Sequence, residues 1–112
     1  MGALKAGQVV LIPFPFSNLS QTKMRPAVIL AYSGREDWIL CQITSNPYGD
    51  SHSFMLTDQD FQEGSLHATS YARPGKLFTA NSDLISGMAG SLNNSIFEKL
   101  IDEIVALLRS GK

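Results

Sequence analysis

Three short segments of this 112-residue chain carry side chains suited to holding a phosphate. In Lys23-Met24-Arg25-Pro26, Pro26 pushes Arg25 toward an extended backbone. A guanidinium fixed at the start of a strand offers five N–H donors in a rigid fork, which fits phosphate oxygens. Alone, an arginine before a strand reads as an ordinary surface or ion-pairing residue. Thr44-Ser45 supplies two hydroxyls where a strand gives way to a loop. Arg73-Pro74-Gly75-Lys76 sets two more cations around a turn. In a small barrel these loop ends can meet.

Other reactive side chains point to blander roles. Cys41 sits among Trp38, Ile39, Leu40 and Ile43, an apolar setting that suits a buried structural thiol rather than a nucleophile. His52 and His67 are separated by an acidic stretch, and no third ligand is patterned around them for a metal. Asp58, Asp60 and Glu63 read as a solvated turn. Phe14 and Phe16 flank Pro15 and read as packing, with base stacking the alternative.

The charge pattern sharpens this. The formal net charge is −1, which argues against a polycation that coats nucleic acid. The charges are segregated, however. Residues 1–35 hold four bases and no acid, and residues 36–69 hold six acids and no base. Such segregation can build one basic face and one acidic face. With 44% hydrophobic and 17% charged residues, the chain has material for one core and reads as a single domain, 1–112. The lone cysteine excludes an internal disulfide and a cysteine-based zinc site. No apolar run reaches the ~20 residues of a membrane span, and no signal-peptide pattern opens the chain. The expectation is a cytoplasmic protein without a membrane role.

The elements that must position these side chains follow from periodicity. Gln8–Phe14 is a Val/Ile-rich run that predicts a buried strand, and Pro13 and Pro15 are expected to break its pairing. Ser17–Met24 reads as an exposed polar loop. Ala27–Tyr32 and Trp38–Thr44 predict strands around a turn centred on Gly34. Ser53–Leu56, Ser65–Ala72, Lys76–Thr79 and Leu84–Met88 predict further short strands, with an acidic turn at Asp58–Gly64 and a break at Pro74-Gly75. Ile96, Phe97, Leu100, Ile101, Ile104, Val105 and Leu108 repeat at helical spacing. Asn93 or Ser95 can cap that helix, and Gly111 can end it. Many short strands followed by one amphipathic helix imply a mainly β protein, a small curved sheet or barrel with a C-terminal α-helix packed on it.

Gly7-Gln-Val-Val-Leu-Ile-Pro-Phe-Pro-Phe16, the polar loop and Arg25-Pro-Ala-Val-Ile-Leu30 together resemble the opening of the PemK/MazF toxins. Ile43-Thr44-Ser45 is similar to the close of that family's third strand. Ser70-Tyr-Ala-Arg-Pro-Gly-Lys-Leu-Phe78 resembles a later segment of its PemK-like branch. The resemblance covers nearly the whole chain. It implies an SH3-like barrel of the CcdB/PemK type with a C-terminal helix. It also implies a homodimer acting as a metal-independent endoribonuclease of a type II toxin–antitoxin pair. It implies single-stranded RNA as substrate, a cognate antitoxin as protein partner, DNA only through the antitoxin complex, and no cofactor.

By the same resemblance, Arg25 and Thr44 stand at the catalytic positions. Ser17, Ser20, Gln21, Lys23, Ser45, Ser70, Arg73 and Lys76 are the candidate RNA contacts. Ser20 and Ser70 stand where some relatives place a carboxylate, which leaves the general base open. The implied reaction is attack by the RNA 2′-hydroxyl on the adjacent phosphorus, giving a 2′,3′-cyclic phosphate and a 5′-hydroxyl. Two alternatives share the barrel. One is a non-catalytic toxin that binds an enzyme such as gyrase. The other is an SH3-like binding module using Tyr32, Trp38, Tyr48 and Tyr71.

Overall fold

In a computed structural model, which describes residues 3–15 and 22–111, the apolar runs form one sheet and one helix. The strands are β1 (Gln8–Pro15), β2 (Thr22–Gly34), β3 (Asp37–Thr44), β4 (Phe54–Leu56), β5 (Phe61–Gly64), β6 (Ser70–Asn81) and β7 (Gly87–Leu92). They pair antiparallel in the order β4-β6-β3-β2-β1-β7-β5, curled into a half-barrel. The helix α1 (Asn94–Ser110) follows, and short 3-10 turns occupy Asp58–Asp60 and Ser82–Leu84. The expected mainly β architecture with a C-terminal helix is the one observed.

β1 is apolar without alternation because both its faces are covered. Val9 joins Val28, Cys41, Ile43, Leu56 and Ala72 beneath Leu100 and Ile104 of α1. Val10 and Ile12 join Ala27, Ile29, Leu40, Ala80 and Ile85 on the opposite face. Side chains alternate across a strand, so one continuous run feeds two cores. The expected helix cap differs in detail. Asn93 is the N-cap residue, but its side-chain amide donates to Gln59 O at 3.0 Å rather than capping the helix. Gly111, at φ 70°, closes the other end.

Several sequence expectations need correction. Pro13 and Pro15 do not break the pairing: they sit opposite Met24 and Thr22 of β2. Ser86 donates its N–H to Leu11 O, so that phase of β1 faces the β7 edge. The β1–β7 pairing ends at Leu11↔Gly87, so the missing N–H groups of Pro13 and Pro15 face no described strand. For the same reason the polar segment does not run to Met24, since β2 already starts at Thr22.

The β2–β3 turn is not centred on Gly34, which ends β2 opposite Asp37. Arg35 and Glu36 form the turn with φ of 56° and 66°, a conformation glycine and asparagine prefer. Ser82 holds it by donating its N–H and its hydroxyl to Glu36 O, and Glu36 donates its own N–H to Tyr32 Oη.

Pro74-Gly75 does not separate two strands. β6 runs through it, with Ile43↔Ala72 and Cys41↔Leu77 as successive pairs on either side of an irregularity. Arg73 to Lys76 therefore bulge out of the ladder. Cys41 donates its thiol to Arg73 O at 3.2 Å, tying β3 to the bulge. Leu84–Met88 is a turn followed by the start of β7, and Ser65–Thr69 precedes β6 rather than opening it. β7 escapes a propensity reading because four of its six residues are Gly, Ala or Ser. Close packing of β5 on β7 requires two of the glycines: a Cβ on Gly90 would collide with Glu63 O of β5, and one on Gly64 of β5 with Ala89 O.

Candidate functional site

Strand register assembles the site. Ile12 of β1 lies opposite Arg25 of β2, and Thr44 of β3 lies opposite Tyr71 of β6. Tyr71 in turn lies opposite Met55 of β4. The β2–β3 ladder closes at Ala27↔Gln42. Arg25 and Thr44 each lie two residues beyond that last pair, at the same end of neighbouring strands. The result is a transverse row, Ile12–Arg25–Thr44–Tyr71–Met55, along one end of the sheet.

Alternation puts this row on the face away from α1. Arg25 shares its phase with Ala27 and Ile29, and Thr44 shares its phase with Leu40, all in the second core. Tyr71 lies between Ser70 and Ala72, and Met55 between Phe54 and Leu56. Ala72, Phe54 and Leu56 belong to the helix-side core, so Tyr71 and Met55 face the other way. Lys23 shares the phase of Arg25 and is exposed. Beside the row lies a groove of about 360 Å3 lined by Ile12, Pro13, Gln42, Lys76, Phe78 and Leu84. Two of the sequence-predicted cations, Lys23 and Lys76, therefore flank Arg25 on its own face or at the adjoining groove.

Thr44 is only 6% exposed. Its hydroxyl donates to Asn46 O at 3.1 Å and lies 3.2 Å from the Asn46 N–H, which donates back to it. The loop after it is held in steps. Tyr48 N–H donates to Asn46 Oδ1, and Asp50 N–H donates to Pro47 O. Asp50 Oδ2 accepts from Arg73 Nε at 2.9 Å, while its Oδ1 accepts the N–H of His52. The Arg73 hydrogen bond, then the His52 N–H, hold the Asp50 carboxyl below the usual carboxylate range. Arg73 is thus engaged in bracing the Thr44 loop against the β6 bulge, with its Nε edge taken.

The other candidates separate. Ser45 is exposed next to Thr44. Ser70 is buried, lies opposite Leu56 and donates to Ala68 O, so it faces the helix-side core and not Thr44. Ser17, Ser20, Gln21 and the neighbouring Phe16 lie outside the described residues. His52 and His67 line different hollows, one against Leu107 and Leu108, the other beside Asp58 and Thr69. Asp60 accepts from Thr57, and Asp58 from Ser65, within the short turn Asp58–Asp60, whereas Glu63 lies not in a turn but in β5 opposite Ser91. Among the described residues, no group of three or more His, Cys, Asp or Glu is placed to hold a metal. Burial pushes the Cys41 thiol up to about 12, so it is a protonated core group rather than a nucleophile.

Tyr71 and Met55 are the residues sequence reasoning did not place at the site. Their neighbours carry the signal: Thr44 is separated from Tyr71 by 27 positions, and only the sheet register joins them.

A sequence profile for a family described as PemK-like, MazF-like toxin of type II toxin-antitoxin system matches residues 5–108. No curated protein sequence matches the chain. Among solved structures, the chain is similar to MazF (Form-I) from Deinococcus radiodurans. The TM-score is 0.73 at 16% identity, covering 96% of this chain and 98% of that one. It is similar to an endoribonuclease in complex with its cognate antitoxin from a mycobacterial species, with a TM-score of 0.72 at 15% identity over 96% and 95%. The Mycobacterium tuberculosis toxin MazF-mt6 gives a TM-score of 0.65 at 17% identity over 89% and 96%.

Proposed function

Because the chain belongs to the PemK-like, MazF-like toxin family of type II toxin–antitoxin systems, we propose that it is an endoribonuclease that cleaves single-stranded RNA at Arg25 and Thr44. The observation that carries this reading is that Arg25 and Thr44 lie just beyond the last β2–β3 pair, at the same end of neighbouring strands and on the sheet face away from the helix.

The chemistry needs no metal. The 2′-oxygen attacks the adjacent phosphorus, the 2′-O–P bond forms as the P–O5′ bond breaks, the 2′ proton leaves to a base, and O5′ gains one. The products are a 2′,3′-cyclic phosphate and a 5′-hydroxyl. Arg25 stabilises the charge that grows on the phosphorane oxygens. A guanidinium holds its proton, so Arg25 serves as charge clamp and not as base. Thr44, whose hydroxyl proton goes to Asn46 O, orients the attacking hydroxyl by accepting from it. Lys23 and Lys76 hold flanking phosphates, and each one lost lowers the salt dependence of binding. Ser45 and the segment with Ser17, Ser20 and Gln21 contact the unpaired strand. Ser70 faces the helix-side core, so the proton acceptor is a different group.

The protein works as a homodimer in the cytoplasm and is silenced by a cognate antitoxin. The solved neighbour bound to its antitoxin supports that partner. No helix among the described residues is long and apolar enough to cross a membrane.

The test is incubation with a long unstructured RNA, with and without EDTA, followed by mapping of the ends. Discrete fragments with 5′-hydroxyl ends, unaffected by EDTA, are expected, and Arg25→Ala is expected to lose at least ~100-fold in rate while melting like the wild type. Undiminished cleavage by Arg25→Ala, or a strict magnesium requirement, overturns the mechanism. Absence of cleavage by the wild type favours the enzyme-binding alternative.

A further inference from the structure

The row at the site is chemically lopsided. Its β1–β2 end carries Ile12 and the Arg25 guanidinium, and its β3 centre carries the Thr44 hydroxyl. Its β6–β4 end carries an aromatic ring and a thioether, Tyr71 and Met55, with no charge. A nucleotide has the same asymmetry, an anionic phosphate at one end and a flat π-face at the other. The geometry points to Tyr71 and Met55 as a base-stacking ledge for the nucleotide next to the phosphate held by Arg25. This rests on the ribonuclease reading and adds a specificity subsite to it.

Three observations support the ledge. Tyr71 is directly opposite Thr44, and residues so paired have Cβ atoms ~4.5–5.5 Å apart, within one side chain's reach. Tyr71 is half-buried, so its ring is held by the sheet rather than loose in solvent. Met55 is 57% exposed on a strand whose neighbours Phe54 and Leu56 both pack into the helix-side core. Its side chain therefore has no core to fill and extends the ring's surface outward. Thioethers lie favourably against rings, and a base presents the same kind of face. Stacking tolerates any base but strengthens with a larger one, so the ledge also sets a preference at one position of the cleaved sequence.

The test uses 2′-O-methyl RNA decamers, which cannot undergo 2′-hydroxyl attack, in two forms: mixed-sequence and fully abasic. Binding is read by fluorescence anisotropy for the wild type, Tyr71→Ala, Tyr71→Phe and Met55→Ala. The wild type is expected to prefer the base-bearing decamer by roughly 5- to 150-fold. Tyr71→Ala is expected to lose most of that preference, Tyr71→Phe to keep it, and Met55→Ala to lose a smaller part. A thermal melt checks each variant. If Tyr71→Ala fails to fold, the contrast between Met55→Ala and Tyr71→Phe decides, because Met55 is exposed and the phenylalanine keeps the ring. Equal preference in the wild type and in Tyr71→Ala, or no preference in the wild type, overturns the ledge. Cleavage of the unmodified RNA is followed in parallel. Tyr71-dependent binding without cleavage keeps the ledge and overturns the ribonuclease reading, whereas cleavage with Tyr71-independent binding does the reverse.

Discussion

Removing the Asp50 carboxylate should loosen the Thr44 loop by a measurable and pH-dependent amount. Asp50 and Arg73 are only 16% and 21% exposed, and their contact is 2.9 Å. That geometry places the pair above the ~0–1 kcal/mol typical of exposed ion pairs. Asp50 also accepts the His52 N–H. Charge-assisted hydrogen bonds contribute ~1.5–3 kcal/mol, and partial solvent access reduces this, so Asp50→Ala is expected to cost about 1–2 kcal/mol at pH 7. Asp50→Asn keeps an acceptor for His52 and is expected to cost about half as much.

The pH dependence follows from the depressed carboxyl pKa. The folded-state value lies below the unfolded value of ~3.9, so the stabilisation is complete well above that value and is lost as pH falls through the folded value. Melting curves of the wild type and Asp50→Ala between pH 7 and pH 2 should thus differ by roughly 4–8 °C at neutral pH and converge in acid. Coincident melting at pH 7, or a gap that persists unchanged to pH 2, refutes the role given to this pair.

Two further outcomes follow from the packing. With its thiol near 12 and fully buried, Cys41 should resist a thiol reagent in the native protein at pH 8 and react at once in denaturant; prompt native labelling contradicts that burial. Gly90→Ala drives a methyl group into Glu63 O and should destabilise by about 1–3 kcal/mol in urea unfolding, whereas an unchanged midpoint shows that β5 and β7 are not in close contact.

Much of the frame is legible in the sequence. The helix was readable because seven apolar residues fall on one stripe, and β1 because a Val/Ile run has few other uses. Arg25 was readable as a positioned residue because Pro26 restricts it and an apolar strand follows. Less readable was anything set by pairing. Thr22–Met24 look like loop because no apolar pattern marks them, and Lys23 and Met24 are exposed, yet their backbones complete the β1 ladder. Ser70 and Tyr71 are adjacent in sequence, and a shift of one residue exchanges which of them meets Thr44. No local pattern fixes that choice. Pro74-Gly75 has the composition of a turn, and only the neighbouring strand shows that the chain passes through it without reversing.

That bulge sets the phase of everything beyond it. Between the pairs Ile43↔Ala72 and Cys41↔Leu77, β3 advances by Gln42 alone while β6 advances by Arg73, Pro74, Gly75 and Lys76. The surplus is odd, so the strand's alternation inverts as it crosses. Before the bulge the even-numbered Ala72 points at the helix; after it the even-numbered Phe78 and Ala80 point away from it. Tyr71 and Phe78 thereby come to line the same face, the one away from the helix, despite opposite parity. A one-residue deletion within 73–76 would set the two halves of β6 out of step, sending either Tyr71 into the core or Phe78 out of its own. A two-residue change would leave their faces intact. Loop length here is a parity switch, and natural or engineered variation at this position should come in steps of two.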